Sequence, residues 1–252
     1  MTMRTWILPA LAALTFTTGP AAAFDVTAMS DQERESFRAE IREYLLDNPE
    51  IILEAVQVLE ARQAQEQASA EKDIISNNAA AIFEDGFSWV GGNPEGDITV
   101  VEFMDYRCGF CRRAAPEIEK LLVNDTNVRL VIKELPILGD QSVIMSRFAI
   151  AAHQVAGDDA YKAVHDVLMA MNGDVDDARL RRVAEDLQLD ADAILAQMGS
   201  DDVTQVIAEN RALAQALNIS GTPSFIVKDE VLRGFLPADQ MEIVIDEKRN
   251  EG

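Results

Sequence analysis

The two cysteines of this chain lie three positions apart, at Cys108 and Cys111, and they are the only sulfhydryl groups in its 252 residues. They follow an apolar run, Ile98 to Phe103, that predicts a buried strand. A bridge across two intervening residues closes too small a loop to restrict the unfolded chain much, so a structural staple is the weaker interpretation. A close pair after a strand instead predicts a dithiol that cycles between reduced and oxidised forms.

The first 23 residues are typical of a secretory signal peptide. Arg4 precedes an apolar run from Trp6 to Phe16, and the small residues Ala21 to Ala23 follow. The apolar run is shorter than the roughly 20 residues that a membrane span requires. We therefore expect cleavage near Ala23 and export to an oxidising compartment, the periplasm in a bacterium, where disulfides persist.

Charge restricts the partners of the chain. Asp and Glu total 44 against 22 Lys and Arg, for a formal net charge of -22. Such a surface repels nucleic acid and anionic lipid, so we expect no nucleic-acid partner. The local sign is reversed at the dithiol, because Arg107, Arg112 and Arg113 flank it, and nearby cations stabilise a thiolate.

Residues 24–85 contain no glycine and have the composition of continuous helix. Ser30 and Glu33 predict a capping box, and Asn48-Pro49 predicts the start of a second helix. The apolar positions from Ile51 to Leu59 precede a polar middle. We expect this helical arm to pack against another copy of the chain in a dimer or trimer. Because no heptad seam is sustained, packing on the chain's own catalytic domain is the alternative.

From residue 86 onward the pattern changes to mixed α/β. Gly91 to Asp97 predicts a turn-rich approach to the first strand. The expected elements are, in order, a strand at Ile98 to Phe103, a helix from Cys108, a strand at Val128 to Ile132, helices over about 140–217, a hairpin of Ser224 to Val227 with Val231 to Phe235, and a helix from Pro237. This order predicts an α/β thioredoxin fold over 86–252, with an inserted helical domain at about 140–217 and the N-terminal helical arm.

Two segments resemble the DsbA-like family of periplasmic thiol-disulfide oxidoreductases. They are Val101 to Cys111, VEFMDYRCGFC, and Leu217 to Phe225, LNISGTPSF. The arm adds similarity to the ScsC-like (suppressor-of-copper-sensitivity C) branch, whose members include oligomeric disulfide isomerases. The resemblance runs from about Ser30 to the C-terminus. It implies exported proteins with thiols or disulfides as substrates, and a membrane redox partner, either a DsbD- or ScsB-like reductant or a DsbB-like oxidant. It implies no cofactor beyond the two cysteines.

The chemistry of the dithiol follows from its place on a helix. If Cys108 lies at the first turn, unpaired backbone N–H groups and the positive end of the helix dipole stabilise its thiolate, which attacks a substrate disulfide. Cys111, one turn further, resolves the mixed disulfide. The intervening Gly109-Phe110 is neutral. It is more similar to the Gly-Tyr pair of disulfide isomerases than to the Pro-His pair of strong oxidases.

The resemblance also implies three further site residues. Thr222-Pro223 is expected to be a cis bond that faces the dithiol, with the backbone of Thr222 offered to an extended substrate strand. An ordinary loop proline is the alternative. Glu102 is expected to be a buried acid that relays the proton of Cys111, with Lys133 as a partner. The alternative is a carboxylate that points to solvent.

The direction of electron flow stays open. The neutral dipeptide and the arm favour a disulfide isomerase or reductase. A monomeric dithiol oxidase is the alternative, and Cu(I) binding by Cys108 and Cys111 of two chains is a third hypothesis. Attachment of c-type haem is excluded because Arg112 stands where a histidine is needed. A zinc site would need two more ligands, and His153 and His165 do not have the required spacing.

Overall fold

The computed structural model describes residues 26–251. It divides the chain into two compact units, one that ends at Ala61 and one that begins at Arg62. The predicted signal peptide lies outside the described residues. Within 26–251, no helix is long and apolar enough to cross a membrane.

The first unit is helical. A short 3-10 helix, Val26–Ala28, precedes α1, Asp31–Asp47, and α2 begins at Glu50 and runs to Asn77. The predicted capping box is present, because the Ser30 hydroxyl accepts from the Glu33 N–H and the Glu33 carboxylate accepts from the Ser30 N–H. α1 has no buried residue. The apolar side chains at the start of α2 are exposed by 45 to 65%, namely those of Ile52, Leu53, Val56, Val58 and Leu59.

The second unit contains a five-stranded sheet. Its strands are β1, Trp89–Gly92, β2, Ile98–Met104, β3, Val128–Glu134, β4, Ser224–Val227, and β5, Glu230–Arg233. They lie in the order β1-β3-β2-β4-β5, and among them only β2 and β3 are parallel. The predicted hairpin of β4 and β5 is present, with β5 one residue earlier than expected at its start and two at its end.

β1 was not predicted, since the glycines that form its second half indicate a turn. Gly91 is required there for a different reason. The indole of Trp89 folds over it, and a Cβ at position 91 would lie 2.0 Å from the ring. The bare backbone therefore lets Trp89 reach the core while residues 89–92 pair with β3.

The remaining helices surround the sheet. They are α3, Ala79–Phe83, α4, Gly109–Asn124, α5, Asp140–Ala156, α6, Asp158–Ala170, α7, Asp177–Asp186, α8, Ala191–Gln197, α9, Asp201–Ala216, and α10, Ala238–Asn250. The five helices α5 to α9 occupy the predicted insertion between β3 and β4. The predicted fold class, a thioredoxin fold with inserted helices and N-terminal helices, is confirmed.

The end of α2 and the residues after it belong to the second unit. Ile75 and Ile82 are buried in the cluster that covers one face of the sheet. The Glu71 carboxylate lies 2.7 Å from the guanidinium of Arg233 on β5. Part of the segment expected to be arm therefore forms a layer of the thioredoxin domain.

Strand alternation decides which side chains meet on each face of the sheet. Val101 and Phe103 face the cluster that includes Ile75 and Ile82. Val100 and Met104 face the opposite cluster, which α4 covers. Glu102 lies between them in sequence, so its side chain also projects to the α4 face.

Candidate active site

Cys108 is the N-cap of α4. β2 ends at Met104, three residues turn the chain, and the helix begins at Gly109. The backbone N–H of Cys108 donates to the carbonyl of Asp105 at 3.0 Å, and its own carbonyl accepts from the Arg112 N–H at 3.1 Å. The first N–H groups of a helix have no partner within it, and they carry partial positive charge. The predicted position at the start of the helix is thus observed.

The loop before β4 lies against Cys108. The Thr222–Pro223 peptide bond is cis, and the Sγ of Cys108 donates a hydrogen bond to the carbonyl oxygen of Thr222 at 3.1 Å. Pairing of β4 with β2, with Ser224 opposite Phe103, carries the loop to this position. The structure brings Thr222 and Pro223 beside the dithiol, as the resemblance implied.

Cys111 lies one turn into α4 and is fully buried. Both cysteines are free thiols. Burial raises the pKa of the Cys111 thiol far above its ordinary value, and the negative charge of Glu102 adds to this effect. Because a thiol rather than a thiolate is a poor nucleophile, Cys111 needs a neighbouring base before it can attack a disulfide.

Glu102 is a buried acid whose charge acts on Cys111, which makes it a candidate for this base. Its side chain is on the α4 face and only 3% exposed. Its Oε1 atom has no hydrogen-bond partner within residues 26–251. Burial, and secondarily the charge of Glu134, raises the pKa of Glu102 to about 8. The alternative of a carboxylate that points to solvent is therefore excluded.

Lys133 is not the partner of Glu102. It stands opposite Phe103 on β3, so its side chain lies on the other face of the sheet. There the ammonium is fully buried, pairs with the Asp85 carboxylate and donates to the Ala81 carbonyl at 2.7 Å. The expected Glu102–Lys133 pair was wrong because strand alternation separates the two side chains.

A cavity of about 250 Å³ lies beneath α4 and opens to solvent. Glu102 and Pro116 are both in its wall. A proline has no N–H, so Pro116 leaves the carbonyl of Arg112, another wall residue, without its helical donor. The wall also includes Lys162, which pairs with Glu119 at 2.9 Å and with Asp166 at 2.7 Å. The wall is mainly apolar, but the Glu102 carboxyl and the Arg112 carbonyl give water in the cavity hydrogen-bond partners.

Two of the three arginines around the dithiol bind the helical insertion. Arg107 donates to the Gly173 carbonyl at 2.6 Å, and Arg112 donates to Asn172 Oδ1 at 3.2 Å. Arg113 lies over the ring of Phe110, 4.4 Å from the centroid. The bonds of Arg107 and Arg112 hold the start of α4 to the loop 172–174. A guanidinium that donates to a neutral oxygen keeps its charge, so the expected stabilisation of the Cys108 thiolate by the three cations stays a prediction.

Sequence reasoning missed two buried acids, Asp105 and Glu134, each at or just after the end of a buried strand. Asp105 accepts hydrogen bonds from the N–H of Arg107 at 2.7 Å, of Ile137 at 2.8 Å and of Leu138 at 3.1 Å. It thus joins the turn before Cys108 to the loop after β3. The sequence did contain a signal for both acids, because each carboxylate stands at or directly after the end of an apolar strand. An acid that is buried there needs hydrogen-bond donors from other parts of the fold.

The comparisons with known proteins agree with this geometry. The model of the DSBA-like thioredoxin domain matches residues 99–246. A thioredoxin-like oxidoreductase from Silicibacter pomeroyi DSS-3 is 43% identical, with a TM-score of 0.64, over 68% of this chain and 97% of that one. The chain belongs to the DSBA-like thioredoxin domain family.

Within that family the chain resembles the ScsC-like branch. The model of the copper resistance protein ScsC N-terminal domain matches residues 33–66. Proteus mirabilis ScsC in a transitional conformation is 26% identical, with a TM-score of 0.64, over 89% of this chain and all of that chain. Salmonella enterica Typhimurium BcfH is 25% identical, with a TM-score of 0.67, over 85% and 95% of the two chains.

Curated relatives include proteins of different overall organisation. The Na(+)/H(+) antiporter NhaA 3 of Salinispora tropica is 33% identical over 173 residues. The match covers 69% of this chain but only 26% of the antiporter, so the chain spans about a quarter of that protein's length. Disulfide bond formation protein D of Bacillus subtilis is 22% identical over 62% of this chain and 75% of the relative.

Proposed function

We propose that the chain is a periplasmic disulfide isomerase or reductase that acts on exported proteins through Cys108 and Cys111. One observation carries the proposal. Cys108 begins a helix and contacts the Thr222 carbonyl at 3.1 Å, while Cys111 is buried one turn behind it. This arrangement places the Cys108 sulfur beside the Thr222-Pro223 loop, where a substrate can reach it. The Cys111 sulfur stays buried, in a position to resolve the mixed disulfide.

The reaction follows from these positions. The Cys108 thiolate attacks one sulfur of a substrate disulfide, which forms a mixed disulfide and releases the other substrate sulfur as a thiolate. In isomerisation that thiolate attacks a different disulfide of the same substrate, and a substrate thiolate released by this exchange attacks the mixed disulfide, which forms a new substrate disulfide and frees Cys108 as a thiolate. In reduction, Cys111 attacks the Cys108 sulfur, so the enzyme acquires a Cys108–Cys111 disulfide and the substrate leaves with two reduced sulfurs.

Glu102 is proposed to handle the proton of the second step. Its carboxylate would accept the Cys111 proton as the Cys108–Cys111 bond forms, and its carboxyl would return a proton when that bond is reduced. A pKa of about 8 for Glu102 suits this exchange near neutral pH. Water in the cavity beneath α4 would connect Glu102 to solvent.

The direction of electron flow is inferred from what stabilises the reduced enzyme. Strong oxidases of this fold are oxidising because their reduced form is stabilised. Here Gly109-Phe110 offers no charge, and solvent screens the charges of the partly exposed Arg107 and Arg112, which also bond to the loop 172–174. Less stabilisation of a Cys108 thiolate favours isomerase or reductase work. A DsbD- or ScsB-like membrane reductant would then keep the dithiol reduced.

A scrambled ribonuclease assay beside a reduction-potential titration tests this proposal. We expect the reduced protein to restore ribonuclease activity, Cys108→Ser to restore none, and Cys111→Ser to accumulate the mixed disulfide. A monomeric oxidase recharged by a DsbB-like partner would instead oxidise reduced ribonuclease rapidly and refold little of the scrambled form. Full activity of Cys108→Ser would refute the enzymatic proposal altogether.

The helical arm is proposed to make a dimer or trimer. The exposed side chains of Ile52, Val56 and Leu59 supply an apolar stripe at helical spacing. Light scattering on the full chain tests this, with Ile52→Asp and Val56→Asp expected to lower the mass to that of a monomer. Val123→Asp, at a position 76% exposed on α4, is the matched control. An unchanged monomeric mass for the wild type would contradict oligomerisation.

Copper binding is the second candidate, because residues 33–66 match the N-terminal domain of a copper resistance protein. One chain offers only the thiols of Cys108 and Cys111, and residues 26–251 contain no group of three His, Cys, Asp or Glu that could hold a metal. A Cu(I) site of four sulfurs would therefore need two chains. Cu(I) affinity that is unchanged in the double Cys→Ser variant would exclude these ligands.

A further inference from the structure

A second buried carboxylate lies beside the proposed relay. Glu102 on β2 pairs with Ile132 on β3, and Met104 pairs with Glu134. Glu102 and Glu134 are thus diagonal neighbours on adjacent strands, and both project to the α4 face, at a separation that long side chains can bridge. Each is only 3% exposed. Two carboxyl groups in one apolar layer cannot both ionise freely, because like charges repel.

The hydrogen bonds distinguish the two acids. Glu134 Oε1 accepts from the hydroxyls of Tyr106 at 2.8 Å and Tyr161 at 2.7 Å, and its Oε2 accepts from Ser146 at 2.7 Å. Glu102 Oε1 has no such donor in the part of the chain that the structure describes. Hydroxyl donors stabilise the ionised form of a carboxylate. The first negative charge of the pair therefore resides on Glu134.

The groups around the pair support this distribution of charge. The titratable side chains that face it are Cys111 on α4, Asp105 and Tyr106 after β2, and Tyr161 and His165 on α6. The charged side chains that line the cavity shared with Glu102 are Arg112 and Glu119 on α4 and Lys162 and Asp166 on α6, and Lys162 pairs with both of these carboxylates. Tyr106 oxygen lies 3.2 Å from His165 Nδ1. Burial lowers the pKa of His165 to about 4, so no imidazolium neutralises Glu134 near neutral pH.

The pKa directions agree with the geometry. Burial raises the pKa of Glu134 to about 7, and its three hydroxyl donors oppose that rise. Burial and the charge of Glu134 raise the pKa of Glu102 to about 8. The directions of these shifts fit a pair in which the hydroxyl donors of Glu134 favour the first charge there.

We infer that Glu134 is a positioning residue for the dithiol, whose negative charge adds to the effect of burial on Glu102 and so raises the pH at which Glu102 can accept the Cys111 proton. This assignment rests on the proposed relay by Glu102. Two of the three donors that hold the Glu134 charge, Ser146 and Tyr161, come from the helical insertion. The insertion would thus set the pH range of a reaction whose sulfurs lie on α4.

The test follows resolution of a single mixed disulfide. Oxidised glutathione loads Cys108 of the reduced full-length chain, and quenching with mass spectrometry then measures the loss of bound glutathione from pH 5 to pH 9. We expect the rate at which the wild type loses glutathione to rise with pH, and the rising limb of this pH–rate curve to follow the ionisation of Glu102. Glu134→Gln should move the midpoint of that limb downward by about one pH unit, a tenfold change in the ionisation constant. Glu102→Gln should remove the limb.

Tyr161→Phe provides a second route to the same readout. It removes one donor from Glu134 but keeps the ring that stacks on Trp89. Less stabilisation of the Glu134 charge should shift the midpoint in the same direction by a smaller amount. The matched control is Tyr44→Phe, at an exposed tyrosine on α1, which should leave the midpoint where it is.

The outcomes separate the two proposals. A Glu134→Gln rate that changes by one factor at every pH, with the midpoint unmoved, would show a structural role only and overturn the assignment. If circular dichroism shows that Glu134→Gln does not fold, an unmoved midpoint in folded Tyr161→Phe overturns it instead. Failure of the wild type to form or resolve the mixed disulfide would refute the proposed function itself.

Discussion

Replacement of Glu102 by glutamine should make the protein less sensitive to alkaline pH. The pKa of Glu102 rises from an ordinary 4.5 to about 8 in the folded chain, mainly because of burial. An acid with a higher pKa in the folded state binds its proton more tightly there, so the free energy of unfolding falls as pH rises from about 4.5 to about 8. Glutamine has nearly the same shape and no charge to lose.

The size of the effect follows from that interval. Each pH unit between the two values removes roughly 1.4 kcal/mol of stability, so full ionisation of Glu102 costs about 5 kcal/mol. Between pH 5 and pH 9 we expect the wild type to lose about 4 kcal/mol more unfolding free energy than Glu102→Gln. Glu134 stays in the variant, so the unfolding free energy of Glu102→Gln still falls somewhat as the pH rises. The quantity that tests the argument is therefore the difference between the losses of the wild type and of the variant.

Urea denaturation of the reduced proteins at pH 5, 7 and 9 measures this difference. The fluorescence of Trp89, which is 7% exposed, reports unfolding of the thioredoxin domain. Glu185→Gln, an exposed carboxylate on α7, is the control and should behave like the wild type at each pH. Equal losses in the wild type and Glu102→Gln between pH 5 and pH 9 would refute the burial argument.

Three further substitutions test other parts of the structure. Asp85→Ala leaves the buried Lys133 ammonium unpaired and should lower the unfolding free energy by about 3 to 5 kcal/mol in urea; adding Lys133→Met should recover most of that loss. Asp105→Ala leaves several buried or half-buried N–H donors without an acceptor and should lower the unfolding free energy by more than about 2 kcal/mol in the same assay. Ser30→Ala removes the cap of α1, worth ~1 kcal/mol, and should speed amide hydrogen exchange in its first turn about fivefold.

Local patterns in the chain predicted most of the elements. The capping box at Ser30, the strand that starts at Ile98, the helix after Cys108 and the β4–β5 hairpin all lie close to their expected positions. Each depends on residues that are neighbours in sequence, through caps, apolar runs or turns. β1 was missed because Gly91 is required by the packing of the Trp89 indole rather than by a turn. Local patterns in the sequence do not show that packing.

Charged residues were harder to assign than apolar ones. Lys133 was expected beside Glu102, yet it pairs with Asp85 on the far face of the sheet. Arg107 was expected to flank the dithiol, and the structure adds that its guanidinium binds the Gly173 carbonyl. A long charged side chain can reach many partners, and the one it takes depends on register and on loops that are distant in sequence.

The amino-acid sequence by itself determined that the chain has one closely spaced pair of cysteines and that a helix starts at Cys108. These two features follow from residue types and short spacings, whereas the placement of Thr222-Pro223 at the same site was implied by the family resemblance. Only the tertiary structure decided that Glu102 and Glu134 share one buried layer and that the donors for Glu134 come partly from the insertion. Such juxtapositions arise from the parallel register of β2 and β3 and from the way α5 and α6 cover that face, since long-range packing brings together residues that no local pattern connects.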